Sequence, residues 1–120
     1  MKEYVFVGLG GMLGSMARYA SVTIISQPHF RFPWGTLAVN LLGCLLIGIA
    51  AGAIEKLSTL NAELRLFIVT GFLGGFTTFS AFGLETLGLM KSGFPLQALL
   101  YVLSSVVLGV TLAYVGFRIH

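Results

Sequence analysis

The sequence has very little charge: only 9% of its 120 residues are charged, and it contains no aspartate. Soluble domains usually carry about 25% charged residues, so this chain could not cover its own surface in water. That scarcity excludes a cytosolic enzyme domain and a disordered segment. The single cysteine, Cys44, excludes a disulfide-rich secreted module. With 57% hydrophobic residues, the class that remains is an integral membrane protein.

The few charged residues do not form a catalytic or nucleic-acid-binding cluster. The net charge of +3 comes from basic residues that are scattered singly along the chain, so no phosphate-binding face is predicted. The two histidines, His29 and His120, have no Cys, Asp or Glu at metal-ligand spacing. No serine has a recognisable base beside it. We therefore expect neither an enzyme nor a nucleic-acid partner.

Four long apolar segments predict a single domain of four transmembrane helices. A spanning helix needs roughly 20 apolar residues, and continuous rather than alternating hydrophobicity disfavours a β-barrel. The predicted helices cover residues 4–25, 36–54, 63–90 and 96–117, with Thr36 as the N-cap of the second. Four helices can hardly enclose a pathway alone, so a transporting form is expected to be an oligomer.

Positive charges are nearly balanced between the two ends of this bundle. Four spans place both termini on one side of the membrane. That side carries Lys2, Lys56, Arg65 and Arg118, and the other carries Arg31, Lys91 and, within the first span, Arg18. Such a weak bias leaves the orientation open, and it is also what a protein inserting in both orientations would show.

Glycines mark close packing in the first helix and a break in the third. Gly10 and Gly14 have the spacing that lets transmembrane helices approach closely, whereas a dinucleotide-binding motif fails because position 13 is leucine. In residues 71–82, two adjacent glycines followed by two threonines make a poor helix interior. Unwound backbone at membrane depth persists only where it is buried in protein or lines a cavity or an ion site. We therefore predict a break in helix three with an ion site.

Polar and aromatic side chains inside the spans are the candidate functional residues, and each also has a structural role open to it. Asn40 suits an interhelical hydrogen bond as well as an ion-binding amide. Phe79 and Phe82 share a helix face, where they either pack or present their positive ring edges to an anion. Arg18 either extends to the headgroups or lines an anion vestibule.

Hydroxyl groups add possible hydrogen-bond donors near this face. Ser80 lies next to Phe79, and Tyr101 and Ser105 are one helical turn apart in the fourth helix. Bonding back to helical carbonyls is an equally good account of any single serine or threonine. Glu85 continues the phenylalanine face and would oppose anions if it lay deep, or it sits near water or pairs with a cation.

Three motifs resemble the Fluc (CrcB-type) family of fluoride channels. They are GGMLGSMARY at residues 10–19, PWGTLAVNLLG at 33–43 and GFLGGFTTFSAFGLE at 71–85. They occur in the family order and spacing, and the resemblance covers essentially the whole chain. It implies a plasma (inner) membrane protein that passively exports fluoride ions and so reduces fluoride toxicity. It also implies a dual-topology homodimer, in which two four-helix subunits pack antiparallel and form two pores at their interface.

The resemblance also assigns roles to residues of this sequence. Asn40 of helix two and Phe79 and Phe82 at the break correspond to the fluoride pathway, together with Ser80 and the helix-four track of Tyr101 and Ser105. Arg18 corresponds to the vestibule arginine. The carbonyls of Gly74 and Thr77 correspond to the ligands of a structural Na⁺ ion. Further along the helix-four track, Gly109 and Ala113 stand where other members can carry hydroxyls, so this sequence departs from the family there.

Two other functional classes were weighed against the channel. A small proton-coupled multidrug-type exporter also uses four short helices and dual topology, but it needs a membrane-embedded acid, for which Glu85 is the one candidate. A non-conducting assembly subunit would explain the glycine spacings alone. It leaves Asn40 and the helix break unexplained.

Overall fold

The computed structural model describes residues 1–57 and 60–119, and within these residues all regular structure is helical. Helix α1 runs from Lys2–Ile25 and α2 from Trp34–Lys56. The third segment begins with α3 (Ala62–Arg65), continues through a π-helix (Leu66–Leu73) and ends with α4 (Gly74–Phe76). After a two-residue gap, α5 covers Phe79–Lys91, and α6 covers Pro95–Arg118. The predicted all-helical architecture with a broken third helix is confirmed.

Among the described residues, three helical segments are long and apolar enough to cross a membrane: Trp34–Lys56, Ala62–Lys91 and Pro95–Arg118. Helix α1 is equally long, with 24 residues, but four glycines and Arg18 make it less apolar. Large apolar side chains remain exposed on the chain surface, as Leu99, Val106 and Val110 of α6 show. A chain with so many exposed apolar groups and three such helices is a multi-pass membrane protein.

The helix ends are explained by the residues around them, and the start of α2 differs from the sequence prediction. Pro33 precedes α2, which begins at Trp34, so Thr36 lies inside the first turn rather than at the N-cap. Thr36 is instead buried, and its hydroxyl donates to Oε2 of Glu85 at 3.1 Å. The side chain of Asn61 caps α3 by accepting from the amide of Glu63 at 2.7 Å. Gly93, with a φ of 85°, reverses the chain after α5, a conformation that favours glycine.

The bundle consists of two pairs of parallel helices that meet backbone to backbone at glycines. In the first pair, Gly10 of α1 lies against the carbonyl of Phe67, and Gly14 lies against that of Phe72. In the second pair, Gly48 of α2 lies against the carbonyl of Ala113 in α6. A side chain at any of these glycines would collide with backbone, so the small residues set the helix spacing. The first pair places α1 directly against the break in the third segment.

Candidate functional site

The break in the third segment is a short stretch of extended backbone between two helices. Thr77 has φ −87° and ψ 157°, and Thr78 has φ −148° and ψ 123°. Helix α5 restarts at Phe79, where the Thr78 hydroxyl caps it by accepting from the amide of Ala81 at 3.2 Å. The two threonines are β-branched, which favours extended backbone over helix. The predicted weak point is therefore where the helix unwinds.

Unwinding redirects backbone groups that a continuous helix would pair. In an uninterrupted α-helix, the amide of Thr78 would bond the carbonyl of Gly74, and the amide of Ala81 would bond the carbonyl of Thr77. Instead, the Thr78 amide donates to Oδ1 of Asn40 at 2.8 Å, and the Ala81 amide donates to the Thr78 hydroxyl. The amides that would pair with the Gly74 and Thr77 carbonyls in a continuous helix therefore bond side-chain oxygens instead. Carbonyl oxygens of this kind are ligands that a hard cation such as Na⁺ accepts.

Asn40 joins helix α2 to the break through both ends of its carboxamide. Its Oδ1 accepts from the Thr78 amide at 2.8 Å, and its Nδ2 donates to the Thr78 carbonyl at 3.0 Å. The nitrogen carries a second N–H that this pair of bonds does not use. Asn40 therefore makes the interhelical hydrogen bond considered from the sequence and also retains donor capacity beside the break.

The two phenylalanines at the break differ in their surroundings. Phe79 is 84% exposed, although its ring centroid lies 5.6 Å from that of Phe82. Phe82 is partly buried and packs on Tyr101, with centroids 5.0 Å apart and an interplanar angle of 57°. Ser80 is exposed, and its hydroxyl lies 3.4 Å from that of Thr78. The exposed ring of Phe79 marks a surface that this chain alone leaves uncovered.

A cavity of about 380 Å³ opens beside the break. Its lining contains six of the residues singled out from the sequence: Asn40, Gly74, Thr77, Phe79, Phe82 and Ser105. The hydroxyl oxygen of Ser105 is buried and has no hydrogen-bond partner among the described residues. The structure therefore brings the predicted anion-pathway and cation-ligand residues to one cavity, while Ser80, Tyr101 and Arg18 lie outside its lining.

One contact that the sequence did not predict joins α2 to α5. Thr36 bonds Oε2 of Glu85, and the Tyr101 hydroxyl lies close to both residues. Neither that hydroxyl nor Oε1 of Glu85 has a partner in hydrogen-bonding geometry among the described residues. Glu85 lies one helical turn after Phe82, and this spacing can be read from the sequence. Nothing local in the sequence, however, predicts that Glu85 pairs with Thr36. Glu85 also lines a second cavity of about 450 Å³ near the connecting loop, together with Arg31 and Phe94.

Comparison with known proteins identifies the family of the chain. The family model described as "CrcB-like protein, Camphor Resistance (CrcB)" matches residues 5–117. The chain belongs to the CrcB family. The resemblance seen in the three sequence motifs is thereby confirmed.

Curated relatives of this CrcB family member match it over nearly its whole length. A protein of Methylobacillus flagellatus is 42% identical over 121 residues, covering 99% of this chain and 94% of the relative. One from Thermus thermophilus is 44% identical over 120 residues, covering 99% and 95%. One from Rhizobium etli is 40% identical over 124 residues, covering 99% and 96%. Each of the three is named "Fluoride-specific ion channel FluC". An ion channel is not an enzyme class.

Arg18, which the resemblance to the family assigns to a vestibule, takes a position in this CrcB chain that the sequence does not reveal. Arg18 is partly buried, and its Nε donates to the carbonyl of Gly75 at 3.2 Å. The side chain thus spans from α1 to the turn immediately before the break. Arg18 is therefore bonded to protein backbone beside the break.

Beyond Ser105, helix α6 packs closely against α2. A side chain at Gly109 would lie 3.2 Å from Sγ of Cys44, and the Ala113 carbonyl lies against Gly48. Helix α2 therefore lies close to position 109, where a side chain would meet Cys44. The polar track that the resemblance implies therefore has no hydroxyl at positions 109 and 113 of this chain.

Proposed function

We propose that this protein is a fluoride-selective channel that lets cytoplasmic fluoride leave the cell passively and so reduces its toxicity. Its membership of the CrcB family and its relatives' printed names support the activity. In this chain, the proposal is supported mainly by the cavity beside the break, which is lined by Asn40, Phe79, Phe82 and Ser105. In a bacterial cell, the membrane that holds such a protein is the plasma membrane.

The proposed pathway replaces the hydration shell of fluoride with protein donors. Fluoride is small and strongly hydrated, so donors must take the place of water along its route. Asn40 and Ser105 supply an amide and a hydroxyl from the cavity wall, and Ser80 and Tyr101 add two hydroxyls from outside its lining. The rings of Phe79 and Phe82 contribute their positive edges, because a ring face would repel an anion. No group in this set needs to exchange a proton, which is consistent with passive movement.

The conducting form we propose is an antiparallel, dual-topology homodimer of four-span subunits. Helix α1 serves as the fourth span: its 24 residues extend about 36 Å, enough to cross a hydrocarbon core of about 30 Å. The exposure of Phe79, beside a cavity open on one side, supports a second copy completing the pathway. Nearly equal numbers of basic residues at the two ends suit insertion in both orientations. Lipid would cover the remaining apolar surface.

A structural Na⁺ ion fits the break, and we propose Gly74 and Thr77 as its ligands through their carbonyl oxygens. Gly74 is exposed, Thr77 is partly exposed, and both line the cavity. The helical donors of these two carbonyls are engaged by Asn40 and Thr78. When bound, such an ion supplies positive charge that offsets the charge of a passing anion. Gly74 contributes its carbonyl from the start of α4, and Thr77 contributes its carbonyl from the extended stretch.

The exporter alternative receives no support from the relatives, which are named as channels. Efflux from liposomes that contain the purified protein separates the two activities. A channel releases fluoride down its gradient without a proton gradient. A proton-coupled exporter moves a cationic substrate only when a proton gradient is present.

A further inference from the structure

Arg18 of α1 is hydrogen-bonded to the third segment, where its Nε donates to the Gly75 carbonyl at 3.2 Å. In a continuous helix, this carbonyl would pair with the amide of Phe79. The extended conformation of Thr77 and Thr78 interrupts that pairing, and the guanidinium supplies a donor in its place. A hydrogen bond from a charged donor is stronger than the amide bond it replaces.

Close packing of α1 brings Arg18 to this turn. A side chain at Gly75 would lie 2.6 Å from the carbonyl oxygen of Gly11, and one at Gly14 would lie 3.0 Å from the amide of Phe76. Both contacts lie one or two helical turns before Arg18 on α1. The close contacts at these glycines therefore fix the distance between Arg18 and Gly75. No flexible loop is needed to bring the two residues together.

Arg18 and Asn40 hold the break from different helices. Arg18 bonds Gly75 from α1, and Asn40 bonds both backbone groups of Thr78 from α2. Gly74 and Thr77 line the open cavity, whereas Gly75 does not. The residue whose carbonyl Arg18 engages thus lies in the sequence between the two residues that line the cavity.

We propose that Arg18 is a positioning residue for the cation site at the break: its bond to Gly75 holds this turn against α1 and leaves the Gly74 and Thr77 carbonyls set for Na⁺. This role rests on the proposed sodium site and goes beyond the vestibule role implied by the family resemblance. The guanidinium does not contact the ion.

Because Arg18 is positively charged, a purely electrostatic role and a positioning role predict opposite effects of its removal on Na⁺ binding. A guanidinium close to a cation repels it, so an arginine that acted only through its charge would weaken Na⁺ binding. Its removal would then tighten binding. A positioning arginine has the opposite effect, because its removal lets the carbonyls move out of register and weakens binding.

The test is the dependence of the thermal unfolding temperature on NaCl for the full chain purified in detergent, with N-methylglucamine chloride keeping the ionic strength constant. A ligand that binds only the native protein raises this temperature according to its affinity. The proteins compared are the wild type, Arg18→Met and Arg18→Lys, with Arg118→Gln as a control for loss of an exposed arginine. If Arg18→Met does not fold, Arg18→Leu takes its place, because leucine also has no donor for the Gly75 carbonyl.

We expect the Na⁺ concentration that produces a given rise in unfolding temperature to increase about tenfold in Arg18→Met, the change that follows from losing one charge-assisted hydrogen bond. Arg18→Lys should restore much of the response, because its ammonium can donate to the same carbonyl, and Arg118→Gln should match the wild type. An unchanged or lower Na⁺ requirement in Arg18→Met would overturn the positioning role. A wild type that does not respond to Na⁺ would overturn the sodium site itself, while fluoride efflux would still report the channel separately.

Discussion

Phe82 packs against the buried ring of Tyr101, with ring centroids 5.0 Å apart. This contact joins the helix that follows the break to α6. The contact holds Phe82, which lines the cavity, against a buried residue. The neighbouring Phe79, by contrast, is 84% exposed. The two phenylalanines therefore differ in what their substitution does to the folded protein.

We predict that Phe79→Ile and Phe82→Ile each slow fluoride efflux greatly, because isoleucine has no positive ring edge to offer an anion. Phe82→Ile should in addition lower the free energy of unfolding by about 1 kcal/mol, since it leaves the Tyr101 contact imperfectly filled. Efflux from liposomes and thermal unfolding in detergent measure the two effects. Phe117→Ile, at the far end of α6, is the matched control. Wild-type efflux in both break variants would remove the rings from the pathway.

Asn40→Asp should abolish most fluoride efflux. The carboxylate keeps an acceptor for the Thr78 amide, but it loses the donor to the Thr78 carbonyl and adds a negative charge beside the pathway. Asn61→Asp is the control, because aspartate caps a helix as well as asparagine does and Asn61 only caps α3. The measurement is the initial efflux rate at equal protein density. Equal rates for the two variants would show that Asn40 acts through its shape alone.

Thr77→Val separates the two ways in which this residue could serve the break. Its hydroxyl donates to the Leu73 carbonyl at 3.0 Å, so the side chain is already engaged. If only the Thr77 carbonyl serves the cation, valine should keep the Na⁺-dependent rise in unfolding temperature. Thr111→Val removes the same kind of bond, to the Val107 carbonyl, far from the break and controls for its stability. Loss of the Na⁺ response in Thr77→Val alone would assign a ligand role to the hydroxyl.

Gly48→Ala should prevent stable folding, because its methyl group would overlap the Ala113 carbonyl and force α2 away from α6. Gly88→Ala is the matched change in a helix with nothing within 4 Å. There alanine should leave stability unchanged or raise it by up to about 1 kcal/mol through helix propensity. Yield and elution profile on size-exclusion chromatography distinguish the outcomes. A monodisperse, wild-type-like Gly48→Ala protein would contradict the backbone-to-backbone seam.

The sequence carried enough information to predict the broken helix and the residues around it. Adjacent glycines and threonines disfavour helix locally, so the break at Thr77 and Thr78 follows from neighbouring residues alone. The family resemblance then named Asn40, which the structure places in contact with Thr78 across 38 residues of sequence. Residue types and their order were sufficient to predict these two features, because the break depends on neighbouring residues and Asn40 belongs to a family motif.

Pairings between distant segments were the part that sequence patterns could not reveal. Thr36 looked like a helix cap, yet Pro33 starts the helix earlier and frees the Thr36 hydroxyl to bond Glu85, 49 residues away. The bond from Arg18 to Gly75 likewise depends on how closely two glycine faces approach. Such distances result from packing of whole helices, for which the linear sequence has no direct signal.

The central claim, fluoride-selective passive conduction, is tested most directly by comparing fluoride and chloride efflux from liposomes of the same protein preparation. The liposomes are loaded with the potassium salt of either anion, and valinomycin supplies the counter-movement of K⁺ without a proton gradient. Ion-selective electrodes record the release. We predict rapid fluoride release and chloride release no faster than from protein-free liposomes. Chloride release at the fluoride rate, or fluoride release that requires a proton gradient, would contradict the account.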